Sequence, residues 1–138
     1  MTDILVKNAR VIDGSQDRPS DAIDIRLVDG YVQEVSASLS APDTATVIDA
    51  KNSFVMPGLI DAHVHVNAQN ANLKENAALP DAIATVGTMN LMQAMLARGF
   101  TTVRDLGGAS GPLRKAMEMA PVQLPRLNIC GKALSQTG

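Results

Sequence analysis

The sequence of 138 residues is 46% hydrophobic and 19% charged, which is typical of a globular domain and excludes a disordered chain. Its twelve basic and fourteen acidic residues give a net charge of −2, far from the strongly basic balance of nucleic-acid-binding proteins. Since no apolar run is long enough to cross a membrane and the first residues lack a secretory signal, we expect a cytoplasmic protein with neither nucleic-acid nor membrane partners.

Residues 1–56 are predicted to form a small antiparallel unit of short strands and tight turns. Residues 4–12 form a broken apolar run, and residues 23–27 alternate apolar and charged side chains as a half-buried strand does. The dipeptide Asp29-Gly30 stands between two apolar pairs. It predicts a β-hairpin, because its turn needs positive φ angles that Asp and Gly tolerate.

Residues 57–138 are predicted to alternate strands and helices. The apolar run Leu59–Val66 predicts a strand covered on both faces, and a polar loop at 67–80 is expected to overhang any pocket behind it. The remaining predicted elements are a helix between Pro80-Asp81 and Gly99, a strand at 100–105, a helix at 112–119 and a strand at 127–130. This order predicts a parallel sheet with right-handed crossovers.

Two further predictions concern the first helix and the single cysteine. The apolar face of the first helix is predicted to comprise Ile83, Val86, Leu91, Met92, Met95 and Leu96. Cys130, the single cysteine, cannot form an internal disulfide, which suits a reducing compartment, and it is expected to fill apolar space in a strand.

The candidate site is the segment PGLIDAHVH at residues 57–65, which contains both histidines of the chain. Side chains two apart in a strand point to the same face, so His63 and His65 can present two imidazoles to one metal ion, and Asp61 is expected on that face too. The end of a strand that begins a β/α alternation is where parallel sheets and barrels bind ligands. Two histidines with surface or packing roles are the alternative interpretation.

These motifs resemble the amidohydrolase superfamily. PGLIDAHVH is similar to its metal-binding first barrel strand, and GFTTVRDLGG (residues 99–108) to its second strand and following loop. ILVKNARVIDG and DGYVQEV resemble the β-sandwich domain that precedes the barrel in imidazolonepropionase-related members. GKALSQTG (residues 131–138) resembles the third strand of prolidase-like enzymes that cut Xaa-Pro or related dipeptides.

The resemblance implies a (β/α)8 TIM-type barrel preceded by a small N-terminal β-sandwich domain. Residues 1–56 would be the N-terminal part of the sandwich domain, and residues 57–138 the first three β/α units of a metal-dependent hydrolase barrel. Because such a barrel takes about 250 residues, we expect the chain to be the N-terminal portion of a longer enzyme and to be inactive alone.

The resemblance also implies one or two divalent metal ions, commonly zinc, with His63 and His65 as ligands. In the superfamily the other ligands are a lysine, two histidines and an aspartate on later strands, so no catalytic residue is expected within this segment. Asp61 and Asp105 are candidates to support the ligands. Asp61 would orient a ligand histidine or serve as a structural acceptor. Asp105 would face the site or, as the preferred interpretation, pair with Arg104, Arg114 or backbone amides.

The implied activity is hydrolysis of an amide or peptide C–N bond by a metal-activated water, with a prolidase-like dipeptidase as the preferred interpretation. Cyclic amidohydrolase, imidazolonepropionase and N-acyl amino acid deacylase activities are the enzymatic alternatives. A non-catalytic fragment or scaffold is the alternative of another class. The expected partner is a small-molecule or dipeptide substrate, and homo-oligomerisation is left open.

Overall fold

A computed structural model describes residues 2–134, which divide into two compact units between Pro57 and Gly58. The first unit has five strands: β1 (Asp3–Val11), β2 (Ala22–Val28), β3 (Tyr31–Ser36), β4 (Thr46–Asp49) and β5 (Phe54–Val55). The second has strands β6 (Leu59–Val64), β7 (Phe100–Asp105) and β8 (Arg126–Ile129) and helices α1 (Leu73–Ala78), α2 (Asp81–Ala97) and α3 (Gly111–Glu118).

The first unit is one mixed sheet in the order β3-β2-β1-β4, with β5 also paired to β1. The β2–β3 hairpin is confirmed: Asp29 and Gly30 have φ angles of 49° and 85°, as a type I′ turn requires. The prediction of a wholly antiparallel unit is wrong, because β4 and β5 pair with β1 in parallel. This single sheet is the only one in the described part of the unit, so the sandwich remains a prediction.

A buried carboxylate anchors the first unit where β1 is irregular. Asn8 has a φ of 56°, and the β1–β2 register shifts between Val6 and Ala9. Asp24, 3% exposed, accepts hydrogen bonds from the backbone amides of Leu39 and Asn8 and forms an ion pair with Lys7 at 3.0 Å. The two backbone amides, followed by Lys7, lower the pKa of Asp24 to about 2.

The second unit is the predicted parallel sheet, in the order β6-β7-β8. Two helices cover one of its faces, and the buried cluster between the layers consists of Val66, Met92, Met95, Val103, Ala109, Met117 and Leu127. The helix predicted after Pro80-Asp81 is α2, which ends just before Arg98 and Gly99; Gly99 has a φ of 93°. Within the described residues, no helix is long and apolar enough to cross a membrane.

Several expectations for this unit are wrong. Within residues 2–134, β6 lies at the edge of its sheet and is not covered on both faces, since Ile60 is 69% exposed. Ile83 and Val86 on α2 are also exposed, whereas Thr88, which is not part of the predicted face, is buried with Met92 and Met95. The predicted apolar face therefore extends too far toward the start of the helix.

The C-terminal part also differs from expectation. The third strand is Arg126–Ile129, and residues 131–134 of the segment compared with a third strand follow it without strand structure. Residues 135–138 of that segment lie outside the described residues. Cys130 follows the strand and is exposed, so it does not fill apolar space.

Candidate metal centre

The two histidines lie side by side at the carboxyl end of β6. Val64 packs against the core and Val66 belongs to it, so the alternating side chains of His63 and His65 lie on the face opposite the helices. Their ring centroids are 5.5 Å apart, with ring planes at 80°. Two imidazoles on one tetrahedral zinc ion, with metal–nitrogen distances of about 2.0–2.1 Å, would have centroids about 5 Å apart. The arrangement therefore fits two ligands of one ion.

The ring of His65 is fixed by a backbone acceptor. Its Nδ1 lies 2.9 Å from the carbonyl oxygen of Gly107, which accepts a hydrogen bond when Nδ1 carries the proton. Nε2 is then the unprotonated nitrogen that can bind a cation. A hydrogen bond from the second ring nitrogen to a carbonyl is the usual way in which proteins orient metal-binding histidines.

Asp105 is fully buried at the end of β7 and bonds to backbone amides, as the preferred interpretation predicts. Its Oδ1 accepts from the amides of Gly107 and Ala109 at 2.9 and 3.1 Å, and its Oδ2 accepts from the amide of Val66 at 2.8 Å. The carboxylate therefore spans the loops that follow β6 and β7. Arg104, the neighbouring cation, donates instead to the carbonyl of Ala62.

Asp61 bonds to its own strand. Its Oδ1 accepts from the backbone amide of His63 at 3.1 Å, which is the structural role considered for it. The register of β6 against β7 shifts between Asp61 and Val64, so the strict alternation expected to place Asp61 with the histidines is interrupted there. Among the described residues, no group of three or more His, Cys, Asp or Glu side chains gathers around a potential ion.

The loop after β7 is closely packed on its neighbours. Gly107 and Gly108 have φ angles of 156° and 116°, and the amide of Gly108 donates to the carbonyl of Gly131 at 3.0 Å. A Cβ at Gly107 would lie 2.6 Å from the Cβ of Ala133, and one at Gly108 would lie 2.6 Å from Oδ1 of Asn67. No larger side chain fits either position without a shift of its neighbours.

The loop after β6 contains a short helix, α1, which is not among the predicted elements. Oδ1 of Asn72 caps α1 by accepting from the amides of Lys74 and Glu75. A signal for it is present, because an Asn followed three residues later by Glu is a helix-start pattern. Asn76 ties the loop together by donating to the carbonyls of Asn70 and Asn72, so these asparagines organise the loop itself.

Comparison with known proteins identifies the family. The model of the amidohydrolase family matches residues 54–137. A dihydroorotase from Citrifermentans bemidjiense is 37% identical over 107 residues, which are 78% of this chain and 22% of that protein. An adenine deaminase from Listeria monocytogenes is 36% identical over 88 residues, covering 62% of this chain and 14% of the deaminase.

Solved structures agree with this result. The crystal structure of an amidohydrolase matches 99% of this chain with a TM-score of 0.91 and 44% identity, and that of a prolidase complexed with N-methylphosphonate-L-proline matches 97% with a TM-score of 0.88 and 38% identity. The chain spans about a fifth of the dihydroorotase and 33% of each of these two structures. The chain belongs to the amidohydrolase family.

Proposed function

We propose that this chain supplies two metal ligands, His63 and His65, to a hydrolase that cleaves an amide C–N bond. The observation that carries the proposal is the pair of imidazoles on one face of β6, with the His65 ring held through Nδ1. A bound divalent ion such as zinc would polarise the scissile carbonyl and lower the pKa of a bound water, so that hydroxide is available at neutral pH. Since catalytic zinc generally has three protein ligands, the remaining ligands would come from barrel strands beyond β8.

In this proposal, the described residues position the two metal ligands. β6 fixes the spacing of the imidazoles, and the Gly107 carbonyl selects the ring nitrogen of His65 that faces a cation. Asp61 fixes the backbone at His63. A scaffold without catalysis is disfavoured, because both histidines are present and share a face.

The preferred substrate class is a dipeptide with a C-terminal proline or a related residue. The likeness to the prolidase supports it, because that match covers 97% of the chain, the first unit included, at 38% identity. A cyclic amide is the second candidate, and the dihydroorotase matches at 37–40% identity over 72–78% of the chain favour it.

Metal analysis of the purified full-length protein tests the site. The wild type is expected to bind zinc in near-stoichiometric amount, and the double variant His63→Ala, His65→Ala to lose it. Ile60→Ala is the matched control, because Ile60 is an exposed side chain of the same strand. Unchanged metal content in the double variant would remove both histidines from the site.

A substrate screen then separates the two substrate classes. Zinc-loaded protein is assayed with Xaa-Pro dipeptides and, in parallel, with cyclic amides such as dihydroorotate. We expect hydrolysis of the dipeptides. Activity confined to the cyclic compounds would reject the dipeptidase proposal and leave the metal site intact.

A further inference from the structure

We propose that Asp105 is a positioning residue that sets the tautomer and the orientation of His65, a proposal that rests on the proposed metal-binding role of that histidine. Asp105 does not touch the imidazole. It acts through the two backbone groups that determine where the ring lies, one on each oxygen of its carboxylate.

The first connection runs through the main chain of His65. Oδ2 of Asp105 accepts from the amide of Val66 at 2.8 Å, and this amide belongs to the peptide bond that joins His65 to Val66. Both Asp105 and Val66 are fully buried. The backbone from which the imidazole projects is therefore held to the end of β7 at a site without solvent competition.

The second connection runs through the ring. Oδ1 of Asp105 accepts from the amide of Gly107 at 2.9 Å, and the carbonyl of the same Gly107 lies 2.9 Å from Nδ1 of His65. The Ala109 amide also donates to this oxygen, at 3.1 Å, and gives the loop a second attachment to Asp105. Together, the two connections form a closed circuit of contacts that runs from Asp105 through Gly107 and His65 to Val66 and returns to Asp105.

A carboxylate is needed at this position because all three of its partners are donors. Two carboxylate oxygens accept every one of these hydrogen bonds, whereas the side chain introduced by Asp105→Asn offers one oxygen and directs its NH2 group at a second donor. With the oxygen toward Gly107, the Val66 amide loses its acceptor; with the oxygen toward Val66, Gly107 and Ala109 lose theirs. Either orientation of the substituted side chain therefore releases one of the two connections to His65.

The test is the protonation pattern of the His65 ring in the full-length protein after metal removal. Nitrogen NMR of the ¹⁵N-labelled imidazole, recorded at alkaline pH, distinguishes Nδ1–H from Nε2–H. The wild type is expected to show the Nδ1–H form. Asp105→Asn is expected to raise the Nε2–H population. A wild-type ring protonated on Nε2 would overturn the proposal, and this measurement needs no folded variant.

A second readout is zinc affinity, measured by competition with a chelating dye. Asp105→Asn is expected to weaken binding about 10- to 100-fold, the usual effect of removing a group that supports a ligand. The matched control is Asp24→Asn, which alters a buried carboxylate that also accepts two backbone amides, in the first unit. The control is expected to keep the wild-type affinity and tautomer.

The outcomes separate this inference from the proposed function. Unchanged tautomer and zinc affinity in Asp105→Asn, or equal losses in Asp24→Asn, would reject Asp105 as a positioning residue. If the double histidine variant keeps its metal, the proposed function fails. The tautomer measurement, which is made without metal, still reports whether Asp105 controls the ring.

Discussion

Replacing Gly107 with alanine tests how tightly the loop after β7 is packed. Its φ of 156° is one that residues with a side chain rarely adopt, and a Cβ there would lie 2.6 Å from the Cβ and 3.0 Å from the Cα of Ala133. The backbone conformation alone costs about 1–3 kcal/mol. Overpacking adds about 1–3 kcal/mol, because the nearest atoms belong to or adjoin the main chain and cannot swing aside.

The matched control is Gly30→Ala in the hairpin turn. Gly30 also has a positive φ, 85°, but nothing lies within 4 Å of the position that its Cβ would occupy. This substitution therefore carries only the backbone cost, about 1–2 kcal/mol. The difference between the two variants combines the contact with Ala133 and any difference in backbone cost between the two positive-φ conformations.

Native-state hydrogen exchange followed by mass spectrometry provides the assay, because it gives an opening free energy for each segment separately. We expect Gly107→Ala to lower the opening free energy of β7 and its loop by about 2–6 kcal/mol. Gly30→Ala should lower that of the β2–β3 hairpin by about 1–2 kcal/mol. A loss at Gly107 no larger than the loss at Gly30 would show that the loop yields freely and would refute the reasoning.

Three further predictions concern stability. Met92→Ala is expected to cost about 2–5 kcal/mol in urea unfolding, because the side chain is fully buried between sheet and helices; a cost under about 1 kcal/mol would show that the core refills the cavity. Asn72→Ala should speed hydrogen exchange in α1 by removing its cap, worth about 0.5–2 kcal/mol, and unaltered exchange would mean that the cap is dispensable. Because the folded pKa of Asp24 is lowered from 3.8 to about 2, its contribution to stability is present above about pH 4 and is lost as the pH falls toward 2. Unfolding of Asp24→Asn should therefore lack this part of the acid dependence, and identical pH profiles for variant and wild type would contradict it.

Local sequence patterns predict the elements whose geometry depends on residues that are adjacent in the sequence. The turn at Asp29-Gly30 and the helix between Pro80 and Gly99 follow from the conformational preferences of these residues. Strand partners are harder to predict. β4 and β5 pair with a strand some forty residues earlier, and nothing in their own composition specifies a parallel arrangement.

The candidate site, too, is predictable from the sequence only where it depends on residues that are close together in the chain. The spacing of His63 and His65 within a strand is a local property, so their shared face can be inferred from the sequence. The role proposed for Asp105 depends on its contact with Val66, 39 residues away in the chain, and on the contact between His65 and Gly107, which are 42 residues apart. The sequence suggests amide partners for this carboxylate, but only the folded chain shows which ones.

For protein engineering, the two loops beside the histidines differ in how they are held. One is bonded to Asp105, and the other is held by hydrogen bonds within itself. Residues 106–109 form a short span in which the amides of Gly107 and Ala109 both donate to Asp105, so an insertion or deletion there would displace the acceptor of His65. The segment after Gln69 is held mainly by its own asparagines. A library that varies residues 70–79 should therefore keep Asn70, Asn72 and Asn76, and residues 106–109 should keep their native length.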